Sequence, residues 1–410
     1  MNDAETVAAL TSGVPVRYRL AGKLVLAPLL RWTAGALTLS LPDGTVREFG
    51  DPSQATRVTV VVKDWKFFWR VLVAADIGIG ESYMEGEWQC SDLVELCRCF
   101  VRDQSMLECR SLWTQPTRWW HALLRRARAN TLAGSRRNIR YHYDLSNDLY
   151  RLFLDDSMTY SCGIFDAPET SLAEAQQKKI ERICQRLQLA PGHEVLEIGS
   201  GWGAFAIHAA RRYGCRITSL TLSDEQLRLA RERVAAAGVA SSVDIRLCDY
   251  RQMTGRFDRL VSIEMFEAVG YEHYGAFFGQ CSRLLKPDGR MFLQTITMRD
   301  QRFDDYRRDF DWIRKYIFPG SLLASVAAMV RAVQQYTDLR IEWMQDIGPH
   351  YARTLRCWRE RFLRHLPAVR ALGFDERFIR MLEFYLASCE AGFSTRYIGD
   401  VQMELAKPAA

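Results

Sequence analysis

The regular alternation of short apolar strands with amphipathic helices over residues 171–298 constrains the fold more than any other feature. In chain order, the strands predicted from it are HEVLEI, CRITSLTLS, VDIRLCDY, FDRLVSIEMFE and GRMFLQTIT. Ser171 and Glu174 form a capping box at the start of the first helix. Strands joined by helices at this spacing pack as a parallel, doubly wound α/β sheet. The segments LRIEWMQDIG and TRYIGDVQMEL are predicted to add its last two strands.

A glycine-rich turn, EIGSGWG at residues 197–203, ends the first of these strands. Glycines let the backbone turn sharply and approach a ligand, and the helix that follows offers free N–H groups. A dinucleotide site would space the glycines G-x-G-x-x-G, whereas here they are spaced G-x-G-x-G after an acid. This pattern favours S-adenosylmethionine (SAM), which carries no pyrophosphate, and a Rossmann-like class I methyltransferase sheet. The contacting residues predicted in the turn are Glu197, Gly199, Ser200, Gly201, Trp202 and Gly203.

Further cofactor contacts are predicted at the carboxyl ends of the next two strands, where α/β sheets bind their ligands. The second strand ends in neutral polar side chains that would meet the ribose hydroxyls, and the third ends in groups suited to adenine. These residues are Thr221, Leu222, Ser223, Gln226, Asp249, Tyr250 and Arg251.

Composition and pattern divide the chain into three parts. Residues 1–115 are predicted to form a small α/β accessory domain, with a hairpin in ALTLSLPDGTVREFG and a helix in SDLVELCRCFV that Ser91 caps. Residues 116–136 form a basic linker rich in Trp and Arg. Residues 137–410 are predicted to form the catalytic domain, with an aromatic-rich helical insertion or lid at about 300–335 that would bind lipid.

The linker region carries a concentrated positive charge. Between Arg118 and Arg140 there are seven Arg and no acid, interleaved with tryptophans. Such a segment could lie in a membrane interface, with indoles at headgroup depth and Arg on anionic lipid. A linker helix packed on its own protein is the alternative that the sequence leaves open. No nucleic-acid-binding motif accompanies the charge, so no nucleic-acid partner is predicted.

Several classes of protein are excluded by composition. No apolar run approaches the roughly 20 residues that cross a bilayer, and the first residues lack a secretory signal pattern. The eleven Cys have no regular spacing and the seven His form no H-x-x-x-H pair, so no metal is predicted. We expect a cytoplasmic protein with reduced thiols, associated with the inner face of the membrane. A homodimer is compatible with the sequence, which does not determine the oligomeric state.

Six stretches resemble the cyclopropane-fatty-acyl-phospholipid synthases, a family that includes the mycolic acid cyclopropane synthases. In order, they are YHYDLSNDLYRLFLDDSMTYSCGIF, VLEIGSGWGAFAIHAA, SLTLSDEQ, SIEMFEAVG, YIFPG and IGPHYARTLRCWRERF. The N-terminal third resembles the accessory domain of the longer members. The resemblance implies a SAM-dependent enzyme that acts on the cis double bond of unsaturated phospholipid acyl chains and forms a cyclopropane fatty acid.

The resemblance also implies roles for individual residues. Tyr160 and Ser161 would contact SAM, and a bicarbonate ion beside the transferring methyl would be held by Cys162, Glu267, Gln294, Tyr351 and the main chain of Ile296. Gln294 stands where better-known members carry His; it can donate a hydrogen bond but cannot carry a proton. Cys389 matches a C-terminal cysteine that is suspected of a catalytic role, and a buried structural thiol is the alternative.

The chemistry that these residues would perform passes through a carbocation. The alkene attacks the SAM methyl, the resulting charge is stabilised by Glu267, bicarbonate and aromatic faces, and bicarbonate removes a proton as the ring closes. Loss of a different proton would give methyl-branched or methylene fatty acids, including furan fatty acid precursors, which is the enzymatic alternative. Glu264 could support Glu267 or raise its pKa. A non-catalytic lipid-binding module is disfavoured because Cys162, Glu267 and Tyr351 all accompany the glycine turn.

Overall fold

A computed structural model describes residues 14–103 and 146–409. The helices in this part of the chain are α1 (Val16–Leu26), α2 (Lys66–Met84), α3 (Leu93–Arg102), α4 (Asn147–Phe153), α5 (Leu172–Arg186), α6 (Ala204–Tyr213), α7 (Asp224–Ala236), α8 (Tyr274–Leu284), α9 (Asp300–Tyr306), α10 (Trp312–Tyr316), α11 (Val326–Tyr336), α12 (Gly348–Arg364), α13 (Leu366–Ala371) and α14 (Glu376–Ser394). The strands are β1 (Ala36–Ser40), β2 (Val46–Phe49), β3 (Arg57–Val62), β4 (Trp88–Cys90), β5 (Glu194–Ile198), β6 (Arg216–Thr221), β7 (Val243–Leu247), β8 (Phe257–Ile263), β9 (Leu285–Met298), β10 (Arg340–Asp346) and β11 (Ile398–Ala406).

The chain folds into two compact units, and neither is continuous in sequence. The first unit comprises Met1–Leu123, Phe310–Trp312 and Leu366–Thr395, and the second comprises Leu124–Asp309, Ile313–His365 and Arg396–Ala410. This division differs from the prediction of an unbroken catalytic domain over residues 137–410, because α13 and α14 belong to the first unit. The predicted linker, 116–136, lies outside the described residues.

Aromatic packing explains why α14 belongs to the first unit. The ring of Phe384 lies 4.8 Å from that of Trp312 and 5.7 Å from that of Tyr83 on α2. Gly80 lets Trp312 approach α2, since a Cβ at this glycine would overlap the indole. A helix that buries its apolar face against another module belongs to that module, whatever its place in the sequence.

The first unit contains a four-stranded sheet in the order β2-β1-β3-β4, and its hairpin is confirmed because β1 and β2 pair antiparallel. The predicted cap of α3 is wrong by one residue. The Asp92 carboxylate accepts the Glu95 N–H at 2.9 Å, whereas the Ser91 hydroxyl accepts the Thr59 N–H at 3.0 Å. Both side chains are good capping groups, and the pairing of Ser91 with β3 decides between them.

The second unit is built on a seven-stranded sheet in the order β10-β11-β9-β8-β5-β6-β7. Strands β5 to β9 are parallel, and β11 runs antiparallel to both β9 and β10. The predicted doubly wound sheet is therefore confirmed, including its last two strands. The chain leaves β5 towards β6 on one side and returns to β8 on the other, so ligands are expected at the carboxyl ends of β5 and β8.

Alternate residues of the sheet pack into two different cores. Val195, Val261 and Phe292 face the core that α5, α6 and α7 cover. Leu196 and Leu260 face the other core, which receives the aromatic side chains of α8 and the helices of the 300–335 segment. Because successive strand residues point to opposite faces, both faces of the central strands are covered, and most residues of β5, β8 and β9 are buried.

Removing the cap of α5 should destabilise the second unit. The Ser171 hydroxyl accepts the Glu174 N–H, and the Glu174 carboxylate accepts the Ser171 N–H at 2.8 Å, as the predicted capping box requires. We expect Ser171→Ala to lower the free energy of unfolding by about 1 kcal/mol. Urea denaturation would measure the change, with exposed Ser241→Ala as the control. Equal stability of the two variants would contradict the prediction.

Candidate active site

A pocket of about 1040 Å³, including its open mouth, lies at the carboxyl ends of β5 and β6 in the second unit. The glycine turn after β5 forms part of its wall. Gly199 and Gly201 adopt φ values of +100° and +48°, which L-residues rarely take. A Cβ at Gly201 would meet no atom within 4 Å, so the backbone faces open space at this point. The turn therefore offers bare main chain to a ligand, as SAM binding requires.

Most of the predicted cofactor residues line this pocket. They are Tyr160, Ser161, Glu197, Gly199, Ser200, Gly201, Trp202, Thr221, Leu222, Gln226, Asp249 and Tyr250. Three others lie behind the pocket wall. Gly203 precedes α6 with a φ of +85°, and the Ser223 hydroxyl caps α7 by accepting the Gln226 N–H at 3.2 Å. Arg251 holds both oxygens of the Asp249 carboxylate, at 2.8 and 2.6 Å.

Glu197 brings a buried carboxyl group to the pocket. One of its oxygens accepts a 2.5 Å hydrogen bond from the Ser219 hydroxyl. Burial nevertheless raises the pKa of Glu197 to about 8, because the ionised form loses its hydration. A cationic group placed beside it would favour the ionised form again. The ammonium and sulfonium of SAM supply that kind of charge.

A third carboxylate at the pocket, after those of Asp249 and Glu197, belongs to Glu264, the first residue after β8. Its φ of +49° is uncommon for a residue with a side chain. One oxygen accepts the Cys162 N–H and the Gln294 side-chain amide, each at 2.8 Å. The other accepts the Tyr351 hydroxyl at 2.6 Å. Glu264 also lines the pocket, so a carboxyl group that three donors hold faces the cofactor space.

Gln294 makes two hydrogen bonds in addition to the one it donates to Glu264. Its amide nitrogen also donates to Asp400 at 3.1 Å, and its carbonyl accepts the Gln402 amide at 3.0 Å. Gln294 and Asp400 are fully buried. Burial and the charges of Glu264 and Glu267 raise the pKa of Asp400 well above its usual value. The amide of Gln294 is thus shared between two carboxyl groups.

Glu267 makes a separate set of hydrogen bonds, with a main-chain N–H and a hydroxyl group of β9. One of its oxygens accepts the Ile296 N–H at 2.5 Å and the Thr295 hydroxyl at 2.9 Å. The other oxygen is buried without a hydrogen-bond partner among the described residues. Burial and the neighbouring charge of Glu264 raise the pKa of Glu267 to about 7. The predicted Glu267 and Ile296 therefore do meet.

The residues present do not fit a bicarbonate ion in the predicted nest. Cys162, Gln294 and Tyr351, three of its predicted ligands, converge on Glu264, and the main chain of Ile296 is bound to Glu267. The donors that would hold the ion are therefore already satisfied by carboxylates of the chain. No step of the reaction is derived through bicarbonate.

The two predicted cysteines have different surroundings. Cys162 is fully buried, with its sulfur 3.2 Å from the Gly163 carbonyl, and burial keeps the pKa of its thiol well above the usual value. A neutral thiol of this kind packs rather than reacts. Cys389 lies on α14 in the first unit, so it is not part of the second unit's cluster, and burial raises its pKa to about 12.

Sequence reasoning missed Lys179. This lysine is fully buried on α5, lines the pocket and donates to the Ser161 hydroxyl. Burial lowers its pKa, while Glu264 and Asp400 act in the opposite direction. Its position in the helix could have predicted this burial, because Lys179 falls on the apolar stripe of α5 beside Ile180 and Ile183. For Glu264 the signal was an acid directly after a strand, at the edge where ligands bind.

Comparisons with known proteins give a consistent result. The family model "Mycolic acid cyclopropane synthetase" matches residues 131–403. Tuberculostearic acid methyltransferase UfaA1 of Mycobacterium tuberculosis is 44% identical, over 92% of this chain and 90% of its own length. Cyclopropane-fatty-acyl-phospholipid synthase of Escherichia coli is 38% identical, over 83% and 85% respectively.

A solved structure extends the likeness to the fold. Mycolic acid cyclopropane synthase CmaA1, in complex with SAH and CTAB, matches with a TM-score of 0.62 and 33% identity, over 66% of this chain and 98% of that one. The chain belongs to the mycolic acid cyclopropane synthetase family and is a SAM-dependent methyltransferase that modifies lipid chains.

Proposed function

We propose that this protein transfers a methyl group from SAM to the cis double bond of an unsaturated acyl chain in a phospholipid and closes a cyclopropane ring. The observation that carries the proposal is the position of Glu264, whose carboxylate lines the cofactor pocket. A reaction that creates and then discharges a carbocation needs negative charge and a base at that place. The cofactor pocket and the buried carboxylates meet at this residue.

The chain's own groups suit each part of SAM, which supplies an electrophilic methyl group when bound. The open backbone at Gly201 would accommodate the methionyl end, and Glu197 would balance its positive charge. Gln226 accepts the Thr221 hydroxyl at 3.0 Å, which leaves the Gln226 amide nitrogen available to a ribose oxygen. Asp249, oriented by Arg251, would accept from the adenine amino group.

The acyl chain requires positioning and charge stabilisation. An isolated alkene is a weak nucleophile, so holding it in line with the methyl group accounts for much of the acceleration. Once the new bond has formed, the positive charge lies on the acyl chain. Glu264 faces the pocket, and its three donors keep the carboxylate oriented before the charge develops. Oriented negative charge of this kind costs no reorganisation during the reaction.

A second product is favoured by one specific observation, the 44% identity to a protein named as a fatty acid methyltransferase rather than a cyclopropane synthase. Methyl-branched or methylene acyl chains arise from the same carbocation when it loses a proton to form a double bond instead of a ring. The methyl transfer is common to both products, which differ in the C–H bond that loses its proton or in the bond that the released electron pair forms.

We also propose that the protein docks on anionic membrane surfaces, where its substrate lies. The segment on which the sequence prediction rests, Arg118–Arg140, lies outside the described residues, but α1 offers a second surface. Val16, Leu20, Leu24 and, just after the helix, Leu30 are between 51% and 78% exposed. They recur at helical spacing beside the exposed basic residues Arg17, Lys23 and Arg31, and residues 14–42 contain no acid.

A bilayer is the occupant that suits this face, because exposed aliphatic side chains enter the acyl boundary while flanking cations bind headgroups. A charged protein partner would not require four exposed aliphatic side chains, and an apolar one would not require the surrounding cations. Between residues 14 and 103 and between 146 and 409, no helix has the length and apolarity needed to cross a bilayer.

SAM affinity should rise with pH and level off above about pH 8, the value to which burial raises the pKa of Glu197. Below that pH the carboxyl is mostly neutral and offers the cation no charge; above it the carboxylate is ionised. Calorimetric titrations in buffers of different ionisation enthalpy should detect the proton that SAM binding releases. Glu197→Gln should bind more weakly and lose this release, and exposed Glu194→Gln on the same strand is the control. An unaltered pH profile in Glu197→Gln would contradict the assignment.

The product is identified by incubating the protein with methyl-deuterated SAM and vesicles of monounsaturated phospholipid, followed by mass spectrometry and proton NMR. Ring closure removes one deuteron from the added methyl and gives strongly shielded ring protons. A methyl branch with a shifted double bond retains every deuteron and gives vinylic signals. A methylene product also loses one deuteron, but its =CD2 group carries no vinylic proton; it is recognised by the absence of shielded ring protons and by vinylic signals when unlabelled SAM is used. No mass gain on any unsaturated lipid would refute the proposed function.

The exposed face of α1 should control vesicle binding. Replacing Leu20, Leu24 and Leu30 together by Ser should weaken co-sedimentation with anionic vesicles by about tenfold or more, because each exposed aliphatic side chain would lose its burial in lipid. Leu372→Ser, at a leucine of similar exposure, is the control. Replacing Arg125, Arg126 and Arg128 by Ser tests the linker separately. Unchanged sedimentation of the leucine variant would exclude α1 as the docking surface.

A further inference from the structure

The Glu264 carboxylate matches the anion that the sequence led us to expect. A carboxylate and a bicarbonate ion share a planar O–C–O group with a delocalised negative charge. The Cys162 N–H and the Gln294 side-chain amide each donate to one Glu264 oxygen at 2.8 Å, and the Tyr351 hydroxyl donates to the other at 2.6 Å. We propose that Glu264 is the base of the reaction and that it replaces bicarbonate with a carboxylate of the chain itself. This inference rests on the proposed function.

The position of Glu264 favours direct contact with the reacting atoms. Glu264 lies on the pocket wall, and its side chain is only half-buried. Its ligands Cys162, Gln294 and Tyr351 are buried and do not line the pocket. Within this cluster, Glu264 is therefore the group that the acyl chain and the methyl donor would meet. The ligands behind it are positioning residues.

The hydrogen bonds also indicate which carboxyl group of the cluster is ionised. Gln294 donates one amide group to both Glu264 and Asp400, and two negative charges this close disfavour each other. Glu264 accepts three hydrogen bonds, whereas one Asp400 oxygen has no partner among the described residues. The proton of the pair therefore resides on Asp400, and Glu264 stays ionised.

The proton-transfer step balances without any further reactant. Attack of the alkene on the sulfonium methyl forms a carbon–carbon bond and leaves SAM as its neutral thioether. A C–H bond of the added methyl then breaks, and its electron pair closes the ring. The proton passes to a Glu264 oxygen and leaves to solvent through the pocket mouth. Burial raises the pKa of Glu264, which makes the carboxylate a better proton acceptor than a solvated one.

Isotope-labelled bicarbonate and two substitutions test the proposal. Glu264→Gln keeps the shape of the side chain but removes the charge, whereas Glu264→Gly frees the three donors and leaves space for an ion. Glu232→Gln, at an exposed position of α7, is the matched control. Binding of ¹³C-bicarbonate is followed by NMR, and turnover is measured on vesicles in carbon-dioxide-free buffer with and without added bicarbonate.

We expect the unmodified protein and Glu232→Gln to bind no bicarbonate saturably and to turn over equally well without it. Glu264→Gln should lose roughly 10²- to 10⁴-fold in turnover, as expected for removal of a general base. Glu264→Gly should show a similar loss, bind ¹³C-bicarbonate saturably, and recover part of its activity when bicarbonate or formate is added.

Three results would overturn the proposal. They are saturable bicarbonate binding by the unmodified protein, loss of its turnover when carbon dioxide is removed, and full activity of Glu264→Gln. A cooperative thermal unfolding transition in each variant separates loss of the base from misfolding. If the unmodified protein acts on no unsaturated lipid, the proposed function fails, and the NMR titration still decides whether Glu264 or an ion occupies the site.

Discussion

The hydrogen bonds around the Glu264 carboxylate join parts of the chain that are far apart in sequence. Their donors come from the loop at Cys162, from Gln294 on β9 and from Tyr351 on α12. A partly buried carboxyl group is stabilised by its hydrogen bonds, so these segments must all be in place for Glu264 to keep its three donors. The assembly of the second unit and the formation of its reactive centre are therefore a single event.

The parts of the structure that follow from local patterns were predictable. The capping box of Ser171 and Glu174, the glycine turn at residues 197–203 and the parallel, doubly wound class of the sheet all depend on neighbouring residues or on connection rules. The carboxyl ends of the strands then determine where the cofactor contacts lie. That is why most of the predicted cofactor residues line one pocket.

The contacts that were not predictable are those between distant residues. No local pattern around Glu264 predicts that Cys162, Gln294 and Tyr351 will donate hydrogen bonds to its carboxylate. The family resemblance instead predicted that these three residues bind a bicarbonate ion. In the sequence, Lys179 resembles the other charged residues of α5, and only the packing of the helix shows that its side chain is buried. The membership of α14 in the first unit likewise depends on Trp312 and Phe384, which are 72 residues apart.

The backbone at Glu264 has a consequence for which residues this position can accept. With a φ of +49°, a residue with a side chain is held in a conformation that glycine adopts freely, at a cost of about 1 kcal/mol or more. A glycine at this position would relieve the strain but would also remove the carboxylate. Backbone stability therefore favours glycine here, whereas the proposed reactivity requires glutamate. A single substitution here would therefore exchange backbone strain for the loss of the carboxyl group that joins the Cys162 loop, β9 and α12 at the pocket.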